Sequence, residues 1–292
     1  MGAIWLAAAA AAAWGAADYL GGASRGRTPV LVVVAFSEFL GLCLLIPVLM
    51  ARGVPFPASP RMLLAVVAGA GVTIELALIY LALSRGEGFI TAGVGALGAA
   101  SAATAGLITG DPLDAVVAAG LACALVGGGV SAWTSDGASR RGGPLRSAGL
   151  CAGAAGGVAV MLISFRAAGR ADPYWATAVE HASTAVCAVL IQLVAGRRPA
   201  PRQRRPPRER LPRPAQMPGL ALVALAGVVG DLAYASASQH GTLSVVSAVS
   251  SLYPVATIAL GVALQGQRPS RVQFAGITLA LIGAAVLGAA TG

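Results

Sequence analysis

The chain has 292 residues, of which 57% are hydrophobic, 39 are glycine and only 11% are charged. A soluble domain carries about 25% charged residues, and less than half of that would not cover a water-facing surface. The composition argues against a soluble enzyme, a nucleic-acid-binding domain and a disulfide scaffold, and for an all-α polytopic membrane protein. The net charge of +9 comes from 20 basic residues, all arginine, eight of them between Arg197 and Arg213. It belongs to loops and bears first on orientation.

Apolar runs of membrane length fall at about 3–22, 30–50, 62–83, 89–109, 113–132, 148–165, 174–195, 218–238, 242–264 and 270–290, which predicts ten spans. The first run lacks a charged leader segment and is soon followed by Asp18, so it reads as a retained span rather than a signal peptide. Gly110-Asp111-Pro112 and Gln239-His240-Gly241 are links short enough to force antiparallel neighbours. Residues 133–147 form a longer polar loop. Residues 196–217 are rich in Arg and Pro, as in Arg204-Arg205-Pro206-Pro207-Arg208, and are expected to be extended beside anionic headgroups. They lack the interleaved aromatics that stack bases, so no nucleic-acid partner is expected. Cys43, Cys123, Cys151 and Cys187 all lie in apolar runs and read as buried small residues. No phosphate loop, metal-binding signature or nucleophile–base set is present, so no cofactor, metal or enzymatic activity is expected.

The two halves of the chain repeat. Displaced by 156 residues, Leu64-Ala65-Val66-Val67-Ala68 falls on Leu220-Ala221-Leu222-Val223-Ala224, Gly71-Val72 on Gly227-Val228, and Glu75-Leu76-Ala77 on Asp231-Leu232-Ala233. Gly120 falls on Gly276 and Gly127 on Gly283. Upstream, a displacement of 144 pairs Pro29 with Pro173 and Cys43 with Cys187. The expected domains are therefore 1–147 and 148–292, each with five spans. An odd number of spans inverts the second half, which is a transporter architecture with its site near the midplane between the halves.

Trp14-Gly15 with Asp18, Tyr80-Leu81-Ala82-Leu83 before Arg85-Gly86, Ser251-Leu252-Tyr253-Pro254, and Gly266-Gln267-Arg268-Pro269-Ser270 before Gln273 and Gly276 form an ordered set. In that order and spacing the chain resembles the EamA-like family of the drug/metabolite transporter superfamily. The resemblance implies a ten-span secondary carrier of small metabolites, amino acids or drugs, often an exporter, in the plasma or inner membrane. Where the family usually has Gly-Glu in the turns after spans four and nine, this chain has Gly110-Asp111 and Gly266-Gln267. Leu97-Gly98 stands where span nine has Tyr253-Pro254.

A carboxylate at mid-membrane costs about 2.5–3.5 kcal/mol on insertion scales and is a functional candidate for that reason. Glu75 and Asp231 rank first because the repeat makes them equivalent, and removal from water favours the neutral carboxyl a proton-coupling site requires. Glu38 and Glu180 sit mid-span in helices two and seven, with His181 beside Glu180. Asp18 lies toward one end of span one, at an entrance or an interface. Trp14, Tyr80, Tyr234 and Tyr253 are the aromatics expected near a cavity, with Tyr234 sharing a helix face with Asp231. Pro254 interrupts span nine and is the expected hinge.

Sixteen of the twenty arginines lie in odd-numbered loops, which puts both termini outside, whereas the family resemblance implies both inside. The expected partners are a small-molecule substrate, membrane lipids and a proton. Ten spans enclose a site within a monomer, and a dimer stays open. An uncoupled facilitator, a polytopic membrane enzyme and an accessory subunit without transport are the alternative readings.

Overall fold

Each apolar run forms a helix for a simple reason: within lipid the backbone must bond to itself, and the abundant Ala and Leu are strong helix formers without polar cost. The computed structural model describes residues 2–24, 28–84, 90–108, 110–131, 144–196, 211–266 and 269–290. Among them the secondary structure is α-helical, apart from one 3-10 turn at Pro214–Gln216.

The helices are α1 (Gly2–Ser24), α2 (Val30–Arg52), α3 (Met62–Ser84), α4 (Ile90–Ile108), α5 (Ala115–Ser131), α6 (Pro144–Gly169), α7 (Pro173–Gly196), α8 (Met217–His240), α9 (Leu243–Ser250), α10 (Tyr253–Gln265) and α11 (Arg271–Ala290). A 23-residue helix such as α2 spans about 34 Å, enough for a hydrocarbon core of about 30 Å. Six stretches among the described residues are long and apolar enough to cross a membrane, and three shorter apolar helices accompany them.

Nine of the ten predicted runs coincide with one helix each. The ninth divides into α9 and α10 at Ser251–Leu252. The cause is Pro254, which has no N–H to offer the carbonyl four residues back, so the helix restarts at Tyr253. α6 begins at Pro144, so its first turn precedes the boundary expected at 147.

Small residues set the packing. α1 packs on α8 as α3 packs on α6, and α2 meets α7 across the middle. α5 and α11 meet through reciprocal glycines. A Cβ on Gly127 would lie 2.8 Å from the Gly276 carbonyl oxygen, and one on Gly283 would lie 2.7 Å from that of Gly120. These are the glycines the repeat aligned. Two turns also depend on glycine: Gly53 and Gly266 end α2 and α10 with φ of 61° and 63°.

The polarity is inverted relative to a water-soluble bundle. Phe39, Met50, Leu63, Leu190 and Phe274 are exposed, while Glu180, His181, Asp231, Thr177 and Ser247 are buried. Lipid is the solvent that fits this surface. Cys43 is exposed on it, contrary to the expected burial, because its side of α2 is left uncovered among the described residues. Cys123 and Cys187 are partly buried. The Cys151 side chain lies outside the described residues, as do the Arg/Pro-rich segment 197–210 and residues 132–143.

Candidate functional site

Four helices bring polar side chains together at mid-helix positions. Glu38 lies on α2, Glu180 and His181 on α7, Asp231 on α8, and Trp14 on α1. Each sits well inside its helix, far from either end. His181 Nδ1 is paired with Glu38 Oε2. His181 Nε2 lies 3.3 Å from Asp231 Oδ2, and the Trp14 indole Nε1 donates to Asp231 Oδ1 at 2.9 Å. Thr184 Oγ1 donates to Glu180 Oε1 at 2.6 Å, while Glu180 Oε2 is buried without a hydrogen-bond partner among the described residues. Both Glu38–His181 and Trp14–Asp231 join a helix of the first half of the chain to one of the second.

The backbone makes room for the imidazole. A Cβ on Gly41 would lie 2.9 Å from His181 Cε1, so glycine on α2 lets the ring press against that helix. On the other side of α7, Ser183 Oγ donates to the Val66 carbonyl at 2.9 Å and Thr184 Oγ1 reaches the Gly69 carbonyl at 3.3 Å. α7 is thereby fixed between α2 and α3. His181 is 1% exposed and Glu180 4%, which leaves their positions to these contacts rather than to water.

Glu75 is placed differently. Its charged neighbour is Asp18 of α1, and both lie within electrostatic reach of Tyr253 at the break between α9 and α10. The repeat-equivalent pair Glu75 and Asp231 thus falls into two polar groups, one around Asp18 and Tyr253, the other around His181. Asp18 and Trp14 are one turn apart on α1, so this helix borders both. Tyr234 is fully buried. Its hydroxyl donates to the Leu162 carbonyl at 2.7 Å and its ring packs between Trp14 and Phe165, so it braces α8 against α6. The Tyr80 side chain lies outside the described residues.

At one end of the bundle a cavity of about 770 Å³ opens where α1 begins, α6 ends and α8 turns into α9. Asp111, Arg166, Gln239, His240 and Thr242 line it. Asp111 Oδ2 accepts from the Ser244 N–H at 2.8 Å and so caps α9. On the same end of the molecule Arg52 holds Asp172 through two hydrogen bonds of 3.1 and 2.9 Å, and its guanidinium lies 4.0 Å over the Tyr174 ring. Desolvation pushes the Asp172 carboxyl up, but Arg52 and the Trp175 and Tyr174 amides outweigh it and hold the group below its ordinary value. The sequence marked Asp111, Gln239 and His240 only as members of short turns and did not single out Arg52, Arg166 or Asp172, whose partners lie far away along the chain.

Residues 145–289 match the model of the EamA-like transporter family. The chain belongs to that family, within the drug/metabolite transporter superfamily: it is a multi-pass membrane transporter, with a small molecule as substrate and lipid as its surroundings. No curated protein matches the chain. One solved crystal structure is similar over 98% of this chain and 98% of its own, with a TM-score of 0.77 at 19% identity, and shows the fold alone.

Proposed function

We propose that the chain is a ten-span secondary carrier of a small metabolite, amino acid or drug, built from inverted halves 1–147 and 148–292, and that it works by alternating access. One observation carries this reading. The mid-membrane polar groups join one half to the other, Glu38 to His181 and Trp14 to Asp231, as a site between rocking repeats requires. The exchange of packing partners, α1 on α8 and α3 on α6, supports the two-fold relation, as does the reciprocal glycine seam of α5 and α11.

Within this reading Glu75 and Asp18 form the proton-coupling pair. Two like charges within electrostatic reach of one another repel, and one proton removes the repulsion. In this reading the helix break before Pro254, next to Tyr253, is the hinge, and Tyr253 lies within electrostatic reach of that pair. Export from the cell across the plasma or inner membrane is the direction proposed, in keeping with the family. A membrane enzyme acting on lipid-linked substrates is disfavoured because the acids cluster at mid-membrane instead of at one face.

The test is to express the wild type and Asp231→Asn at matched membrane levels and to profile metabolites inside and outside the cells. A compound whose distribution shifts with the wild type and returns with the variant supports the reading and names the substrate. Equal profiles for wild type, variant and empty cells reject it.

A further inference from the structure

The polar hub at the centre of the bundle holds more negative charge than its one basic side chain balances. Three carboxylates, Glu38, Glu180 and Asp231, surround His181. Were all three ionised, two negative charges would remain uncompensated even with the imidazole protonated, and each is costly in the hydrocarbon layer. Their arrangement resembles a ligand set rather than a closed network. One oxygen each of Glu38 and Glu180 and one nitrogen of His181 lie within 4.8 Å of one another. Glu180 Oε2 is buried with no hydrogen-bond partner among the described residues, although its other oxygen is held by Thr184.

We propose that Glu38, Glu180 and His181 bind a divalent first-row transition cation of the Zn²⁺ or Mn²⁺ kind. Two carboxylates and an imidazole suit such ions, whose affinity for mixed N/O donors exceeds that of Mg²⁺ or Ca²⁺. The surroundings have the form of an outer shell. His181 presents Nδ1 on the Glu38 side, while Nε2 lies 3.3 Å from Asp231 Oδ2, within ion-pair range but without a hydrogen bond among the described residues, so Asp231 stands where an outer-shell carboxylate would orient a ligating ring. Trp14 in turn holds Asp231 at 2.9 Å, and Thr184 holds Glu180. Asp231, Trp14 and Thr184 are positioning residues, and Gly41 supplies the space against which the ring is set. The inference does not depend on the transport reading: a cation bound here could neutralise the hub in a protein of any activity.

The experiment uses the full chain in lipid nanodiscs, stripped with a chelator and titrated with Co²⁺ while its visible absorption is followed. Saturation at one Co²⁺ per chain is expected, with Zn²⁺ displacing it. Glu180→Gln and His181→Gln should abolish the bands, and Asp231→Asn should weaken binding about 10- to 100-fold. Glu75→Gln, outside the hub, should bind like the wild type. A wild type that takes up no Co²⁺, or a folded Glu180→Gln that binds as tightly as the wild type, overturns the proposal and leaves the hub to protons alone. Because the wild-type titration decides by itself, misfolding of a variant does not rescue the idea.

Discussion

The Trp14 indole donates a 2.9 Å hydrogen bond to Asp231, joining residues 217 positions apart on α1 and α8. The same ring lies 5.6 Å from Tyr234, whose hydroxyl is tied to α6. One aromatic side chain therefore aims an acid and braces three helices. Trp14→Phe keeps the ring stack and removes the donor. A hydrogen bond to a charged group contributes about 1.5–3 kcal/mol, and thermal unfolding in detergent should register a loss of that order. Trp14→Ala should lose more, because the stack goes as well.

The α5–α11 seam predicts matched effects from two distant substitutions. Gly127 faces Ala280 and Gly276, and Gly283 faces Ala124 and Gly120, with backbone atoms as the obstacle each time. Backbone cannot swing aside as a side-chain tip can. Gly127→Ala and Gly283→Ala should each destabilise by about 1–3 kcal/mol, and by similar amounts, in a thermal-shift comparison. Gly53→Ala, where a Cβ meets open space but φ is 61°, should cost less.

Acid should weaken the Arg52–Asp172 tie. The Asp172 carboxyl is held below its ordinary value in the fold, so its charged form stabilises the protein. That contribution is complete above the ordinary value of about 3.9 and is lost as pH falls through the lowered one. Asp172→Asn should therefore reduce stability at neutral pH and flatten the decline in stability below about pH 4, as followed by unfolding at stepped pH.

Pro254 sets the break between α9 and α10. Pro254→Ala returns an N–H that can reach the Ser250 carbonyl, which favours one continuous helix. If the break is a hinge, the variant should be at least as heat-stable as the wild type and slower in transport. Slower transport with a raised melting temperature is the expected pair of readouts.

Glu75 offers a separate test of coupling. With Asp18 as its charged neighbour, Glu75→Gln removes the repulsion and one proton site together. Transport by this variant should no longer respond to an imposed pH gradient, while the wild type should speed up or slow down with its sign. A dye-loaded vesicle assay distinguishes the two.

Much of the helical layout was legible because lipid imposes it: an apolar run of about twenty residues has few other ways to bury its backbone. The break in span nine was legible from Pro254 alone. The acids that the fold gathers at mid-helix were visible too, since a carboxylate inside an apolar run is conspicuous. Their partners were not. Glu38 meets His181 from 143 residues away, and nothing in either local sequence encodes the meeting. The repeat suggested that Glu75 and Asp231 act as a symmetric pair, yet their neighbours differ: α7 carries His181 toward Asp231, whereas α1 carries Asp18 toward Glu75. No metal-ligand spacing is legible in the sequence, because Glu38 and the Glu180–His181 pair lie on two helices far apart in the chain and converge only in the fold. Cys43 misled because an apolar run in lipid does not distinguish a protein-facing position from a lipid-facing one.

The central claim is that a small molecule crosses the membrane through the space where the two halves meet. The most direct measurement loads proteoliposomes with an isotope-labelled metabolite extract and compares what escapes from vesicles holding wild type, Glu38→Gln, Asp231→Asn or no protein. The account predicts that one compound or a small related set leaves wild-type vesicles faster than protein-free ones, and that both variants, folded and inserted at equal density, return it to the protein-free rate. Escape at the wild-type rate through folded variants, or no protein-dependent escape of any compound, would contradict it.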